Sequence, residues 1–179
     1  MSDGARDSRA YILGATICQT TDLSTVRQEI AGLRLQGQRK VHWREESGKR
    51  RRQIVELIAR LPLEHVVVVR NGHPDDRPER RRRHAKERLL HELGQADVRD
   101  VTFESGDSHN DNRDIEMLNA IRSRGVVSLG LQISHAGGRD DAMLWVADAL
   151  CGVTVKQRTG DITYRETIQA RSTVRIIEI

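Results

Sequence analysis

Apolar positions along this chain recur with two periods, and the points where the period changes divide it into strands and helices. Ala10 to Cys18 (AYILGATIC) has the continuous apolar character of a strand. Asp22 then stands where it can cap a helix running to about Leu35, with Leu23, Val26, Ile30 and Leu33 on one face. Lys40 to Arg44 (KVHWR) is short and suits an extended piece. Ser47 precedes a second helix to about Leu61, whose Ile54, Leu57, Ile58 and Leu61 keep helical spacing, and Pro62 stops it. Glu64 to Arg70 (EHVVVVR) is the clearest strand, because four consecutive valines suit a strand covered on both faces.

Pro78 to Leu93 reads as a helix with a basic start, and Val98 to Glu104 as a strand. Asp111 to Arg124 is a helix that Gly125 ends, Val126 to Ile133 a further strand, and Thr173 to Ile179 a last one. Between the last two lies an apolar helix from Ala142 to Val155. Strands separated by helices imply an α/β protein with a mixed sheet flanked by helices, arranged as a single domain over residues 1–179. The chain has neither a GxGxxG after its first strand nor a GxxxxGK[ST], which argues against dinucleotide binding and nucleotide hydrolysis.

Composition changes this picture in three places. Thirty Lys and Arg against 26 Asp and Glu give a formal charge of +4, with the basic residues gathered in two runs, so a polyanionic partner is compatible with the chain. Cys18 and Cys151 sit in apolar stretches without metal or disulfide spacing and read as small core residues of a reducing compartment. No secretory segment and no apolar run of membrane-spanning length is present, so a cytoplasmic protein without a membrane partner is expected. Protein partners and oligomeric state stay open, a homo-oligomer included.

Asp148 is the only charged side chain in the run from Ala142 to Val155. On a helix apolar on every side, a lone carboxylate costs several kcal/mol unless it is partnered. A metal ion, a basic side chain or a cluster of donors would each serve, and each makes a different protein. Asp141, Trp145, Asp148 and Gly152 share one helical face, although Asp141 at the helix start reads first as a cap or first-turn charge.

The block Leu144-Trp145-Val146-Ala147-Asp148-Ala149-Leu150-Cys151-Gly152 resembles the C-terminal L-Q-L-A-D-x-x-x-G signature of the bacterial and phage domain-of-unknown-function family numbered 3800. Ile133-Ser134-His135 supplies the family's lead-in, Val41-His42-Trp43 is similar to its L-H-F element, and Val101 to Glu104 falls where it ends a strand on an acid. The resemblance implies an RNase H-like fold in which acids from separate elements converge on divalent metal ions, Mg or Mn. The family's opening strand ends in Asp-Glu-Ser-Gly, whereas this chain has Met1-Ser2-Asp3-Gly4 before its first strand. Either Asp3 stands at a relic of that motif, or the start lies upstream, or the centre has been lost. Glu45-Glu46-Ser47-Gly48 matches the motif by letters but sits at a helix start.

Two-metal phosphodiester hydrolysis needs hard oxygen ligands on rigid elements, and Glu104 and Asp148 are suitable donors. Glu104 also reads as an ordinary turn acceptor. His42 can serve as a proton shuttle or phosphate contact, or be a structural histidine. Asp107, Asp111 and Asp114 do not fit the calcium-loop template and read as a solvated loop capping the next helix. Ser134 with His135, and Cys18, lack the partners of a nucleophilic triad. Of the basic runs, Lys49 to Arg52 and Arg77 to Lys86, the four arginines Arg80, Arg81, Arg82 and Arg83 are the phosphate-binding candidates, and the lack of interleaved aromatics points to backbone contacts. These readings give a metal-dependent nuclease with Asp148, Glu104 and His42 as catalytic residues, Asp148, Glu104 and Asp3 as metal ligands, and nucleic acid as partner. The alternative is a catalytically impaired RNase H-like module that binds nucleic acid or serves assembly.

Overall fold

The structure, a computed structural model, describes residues 10–72 and 76–179. Asp3 lies outside the described residues. The elements are β1 (Tyr11–Cys18), α1 (Leu23–Ala31), a 3-10 turn (Trp43–Glu45), α2 (Gly48–Arg60), β2 (Leu63–Arg70) and α3 (Pro78–Gln95). They continue with β3 (Asp100–Glu104), α4 (Ser108–Ser123), β4 (Gln132–Ala136), α5 (Met143–Arg158), α6 (Thr163–Gln169) and β5 (Val174–Glu178). Strand β2 is central in a three-stranded sheet, antiparallel to β1 and parallel to β5. Strands β3 and β4 form a separate parallel pair. The fold is therefore α/β with a mixed sheet between helices.

The valine run explains the layering. Side chains alternate across a strand, so Val67 and Val69 enter a core built with α1, α2, α5 and α6, while Val66 and Val68 enter a second core built with α3, α4 and the β3–β4 pair. All four are almost wholly buried, each stabilising the sheet by about 1.5–3 kcal/mol. On β1, Gly14 faces α5. A Cβ there would lie 3.0 Å from the carbonyl oxygen of Ala147 and 3.3 Å from Cys151 Sγ, so the missing side chain lets helix and strand touch.

Several elements differ from the sequence expectation. Helix α1 ends at Ala31, and Asp22 makes no side-chain cap bond and itself has helical dihedrals. Residues 126–131 form no strand: Gly125 at φ 70 turns the chain, Val127 and Leu131 plug the second core, and pairing begins only at Gln132. Helix α6 carries too short a pattern to announce itself, with Tyr164 and Ile168 one turn apart as its buried residues. The Asp107 side chain does cap α4, accepting from Asn110 N at 2.8 Å.

Among the described residues His65 is the one buried histidine, 1% exposed and paired across the sheet with Thr16, whose hydroxyl lies 3.1 Å from Nδ1. Its Nε2 has no partner among the described residues. Burial disfavours the imidazolium and lowers the pKa from 6.5 to about 4. Between these values the unfolded chain binds the extra proton, so stability is full above about pH 6.5 and falls by roughly 3 kcal/mol as the pH drops to 4. Urea unfolding at stepped pH tests this. A His65→Gln variant should lack that part of the slope, and an identical slope in both proteins would exclude His65 as its source.

Candidate functional site

The parallel strands β3 and β4 end together, Glu104 opposite Ala136, and the loop that leaves β4 runs to the start of α5. Carboxyl ends of parallel strands are where α/β folds place ligands. The segment Lys40-Val41-His42 adds its side chains here. Val41 is buried in the first core while Lys40 and His42 on either side of it are half-buried.

Asp148 Oδ2 accepts two hydrogen bonds, from His42 Nδ1 at 2.8 Å and from the Trp43 backbone N–H at 2.9 Å. Among the options the sequence left open, a basic side chain and a backbone donor are thus its partners. The apolar surroundings of Asp148 suggested full burial, yet it is 35% exposed. Helix α5 buries Trp145, Val146, Ala149, Leu150 and Val153, and Asp148 stands at the margin of that face. No described residue donates to Oδ1 or partners His42 Nε2, whereas both atoms of the bond between the side chains are fixed.

The turn that delivers His42 is clamped from three sides. Arg51 Nε donates to the Trp43 carbonyl at 3.0 Å and its Nη2 to that of Arg44 at 3.1 Å, with the guanidinium 5.3 Å from the Trp43 ring centroid. Tyr164 meets the Trp43 ring edge-on at 5.2 Å. A Cβ on Gly152 would come within 2.0 Å of the Trp43 ring, so the indole lies directly on the α5 backbone. The basic run Lys49 to Arg52 therefore contains a structural member in Arg51. Arg50 is another, donating to Glu46 and to the Leu33 carbonyl.

Glu104, 47% exposed, accepts from Lys40 Nζ at 2.9 Å. Asp148 and Glu104, two of the carboxylates expected to hold metal, are thus each paired with a base. Among the described residues no group of three or more His, Cys, Asp and Glu is arranged to hold a metal ion. Asp141 lies just before α5, where its Oδ1 accepts from Met143 N at 3.0 Å and Arg27 binds both of its oxygens. Burial raises its pKa, but the Arg27 guanidinium and the Met143 N–H outweigh this and hold the carboxyl below its ordinary value. Desolvation pushes the Cys151 thiol up to about 12, which removes it as a nucleophile.

The second polar cluster was not legible as one. Asp114, read as part of a solvated loop, is buried inside α4, where it binds Arg82 Nη2 at 3.1 Å and 3.2 Å, Lys86 Nζ, and His135 Nε2 at 3.2 Å. Lys86 also lies over the Phe103 ring, and burial lowers its pKa against the pull of Asp114. The available signal was the spacing of Arg82 and Lys86, one helical turn apart, opposite Asp111 and Asp114 at three. It also divides the four arginines: Arg82 turns inward, Arg80 and Arg83 are exposed, and Arg83 pairs with Glu87. With its polar groups bonded to one another, this cluster is a brace between α3, α4 and β4.

Comparison with protein-family models, with curated proteins and with solved structures finds no match for this chain. Among the described residues no helix is long and apolar enough to cross a membrane.

Arg51→Met should cost about 1–3 kcal/mol in urea unfolding, because two carbonyls lose their charged donor. Exposed Arg52→Met should stay within about 0.5 kcal/mol. Equal effects would mean that the clamp contributes nothing.

Proposed function

We propose that this chain acts on the phosphodiester bonds of nucleic acid, through a reacting centre of His42 and Asp148 in an RNase H-like domain. One observation carries the reading, the 2.8 Å hydrogen bond between His42 Nδ1 and Asp148 on a half-exposed pair. An ionised carboxylate only accepts, so Nδ1 holds the proton and Nε2 is left with its lone pair to act as a base. In hydrolysis Nε2 takes a proton from water as the water oxygen bonds to phosphorus, and the ester P–O bond breaks. The imidazolium then returns its proton to the departing alkoxide. Asp148 holds the ring in this tautomer, and the clamped turn keeps it in place.

Mg or Mn belongs to the same proposal, with Asp148 Oδ1 as the oxygen open to an ion. The described residues alone do not fit a two-ion centre, since Glu104 is engaged by Lys40 and no set of three ligands forms. Asp3 would have to complete it, as the family resemblance implies. The pairing of both carboxylates with bases favours a second reading, a binding or assembly module that does not cleave.

Cleavage of single- and double-stranded DNA and RNA, with and without Mn, separates the two. Wild type should cleave, and His42→Gln and Asp148→Asn should each lose about 10²–10⁴-fold in rate while still folding. Nucleic-acid binding by wild type without cleavage would leave only the second reading. Metal has its own readout: Mg or Mn should raise the Tm of wild type and not that of Asp148→Asn, because a ligand of the native state stabilises it by mass action. An equal rise in both would remove Asp148 as a ligand.

A further inference from the structure

We infer that the nucleic-acid backbone is held on a basic rim around His42, with Lys40 contacting the phosphate beside the imidazole and Arg39, Arg44 and Arg139 extending the contact. The inference rests on the reading of His42 and Asp148 as the reacting centre, and it moves the docking face away from the arginine run of α3.

Lys40 comes first because of where the chain puts it. It stands two positions before His42, with Val41 between them buried in the core. His42 has extended dihedrals, φ −130 and ψ 116. Val41 anchors this stretch in the core, and Lys40 and His42 on either side of it are both partly exposed. Glu104 is the hydrogen-bond partner of the ammonium among the described residues, and two of its three N–H donors remain for an incoming oxygen. The pair is half-exposed, at 37% and 47%, so Glu104 orients the cation without covering it.

Gly138 joins this pair to the dyad. A Cβ at Gly138 would fall 2.2 Å from Glu104 Oε1 and 3.2 Å from Lys40 Nζ, so the ion pair occupies the space that any other residue would fill. The Gly138 carbonyl accepts from Trp145 Nε1 at 2.6 Å. Trp145 lies one turn before Asp148 on α5, which ties the loop that receives Lys40 to the helix that holds His42.

The arginines supply the reach. Arg39 precedes Lys40, Arg44 follows Trp43, and Arg139 follows Gly138; all three are exposed. Among the described residues their guanidinium groups have no hydrogen-bond or ion-pair partner, in contrast to Arg82 and Arg83, which are paired. The exposed acids Glu45 and Asp140 on the same segments offset part of this charge, so directed phosphate contacts and not a broad field are what the rim offers. The ligand class is a phosphodiester chain, since single phosphates would engage Lys40 alone.

The test titrates single-stranded oligonucleotide and, separately, inorganic phosphate into full-length protein while following the His42 imidazole by NMR. Both probes should move the His42 signal in wild type. Lys40→Met should abolish the response to phosphate and Lys40→Arg should keep it. Gly138→Ala, which displaces the ion pair without removing charge, should weaken it. Arg39→Gln, Arg44→Gln and Arg139→Gln combined should weaken oligonucleotide binding about tenfold or more and flatten its salt dependence, whereas Arg80→Gln with Arg83→Gln should leave both nearly unchanged. Wild-type affinity in the triple variant, or loss confined to the Arg80 and Arg83 variant, would overturn the inference. Rim-dependent binding without cleavage would sustain it while the hydrolytic reading fails; His42-dependent cleavage with unaltered binding in the triple variant would do the reverse.

Discussion

The contact between α5 and strand β1 at Gly14 is the constraint on which the arrangement depends. A helix backbone normally stands off a sheet by the depth of the intervening side chains, and here one of those side chains is missing. The same helix carries Gly152 on another side, where the Trp43 indole occupies the space of a Cβ. Asp148 sits between these two close approaches. Its position relative to the sheet and to the 3-10 turn is thereby set by backbone contact, which has fewer alternative packings than contact between flexible side chains.

This also explains how Asp148 can receive two donors on one oxygen. Both come from consecutive residues, the imidazole of His42 and the backbone N–H of Trp43. They reach Asp148 as a unit only if the turn between them is rigid, and Arg51 secures that turn through its carbonyls. One arginine of a basic run therefore governs the geometry of a site several residues away. Lys40 and Glu104 repeat the pattern on the neighbouring loop, a carboxylate from the scaffold holding a base two residues before His42.

Much of the fold was legible in the sequence because its elements have strong periods. The run Val66 to Val69 announced a strand buried on both faces, and Pro62 and Gly125 marked the ends of helices where chain geometry demanded them. Residues 126–131 misled because their apolar members serve as plugs in a loop, a tertiary role that local pattern does not distinguish from a strand. For the site, His42, Asp148 and Glu104 were each visible as chemistry, but their pairing was not. His42 and Asp148 are separated by most of the chain, and only the packing of the turn on α5 brings them together. Asp114 was missed for the opposite reason: the residues before it, 107–113, are all polar, and burial came from Arg82, Lys86 and His135 arriving from elsewhere.

The parallel pairing of β2 with β5 has a consequence for how this molecule is assembled. Strand β1 can join β2 early, as soon as the intervening residues exist, but the strand that covers the other edge of β2 lies about a hundred residues further on, a separation that makes loop closure slow. During synthesis the most hydrophobic strand of the protein thus has an open edge until almost all of the sequence shown here has been made. Such an edge is a template for pairing between chains. The interval before β5 arrives is when this protein is most exposed to misassembly, and chaperone capacity or slow, cool expression acts on that interval and not on the finished fold.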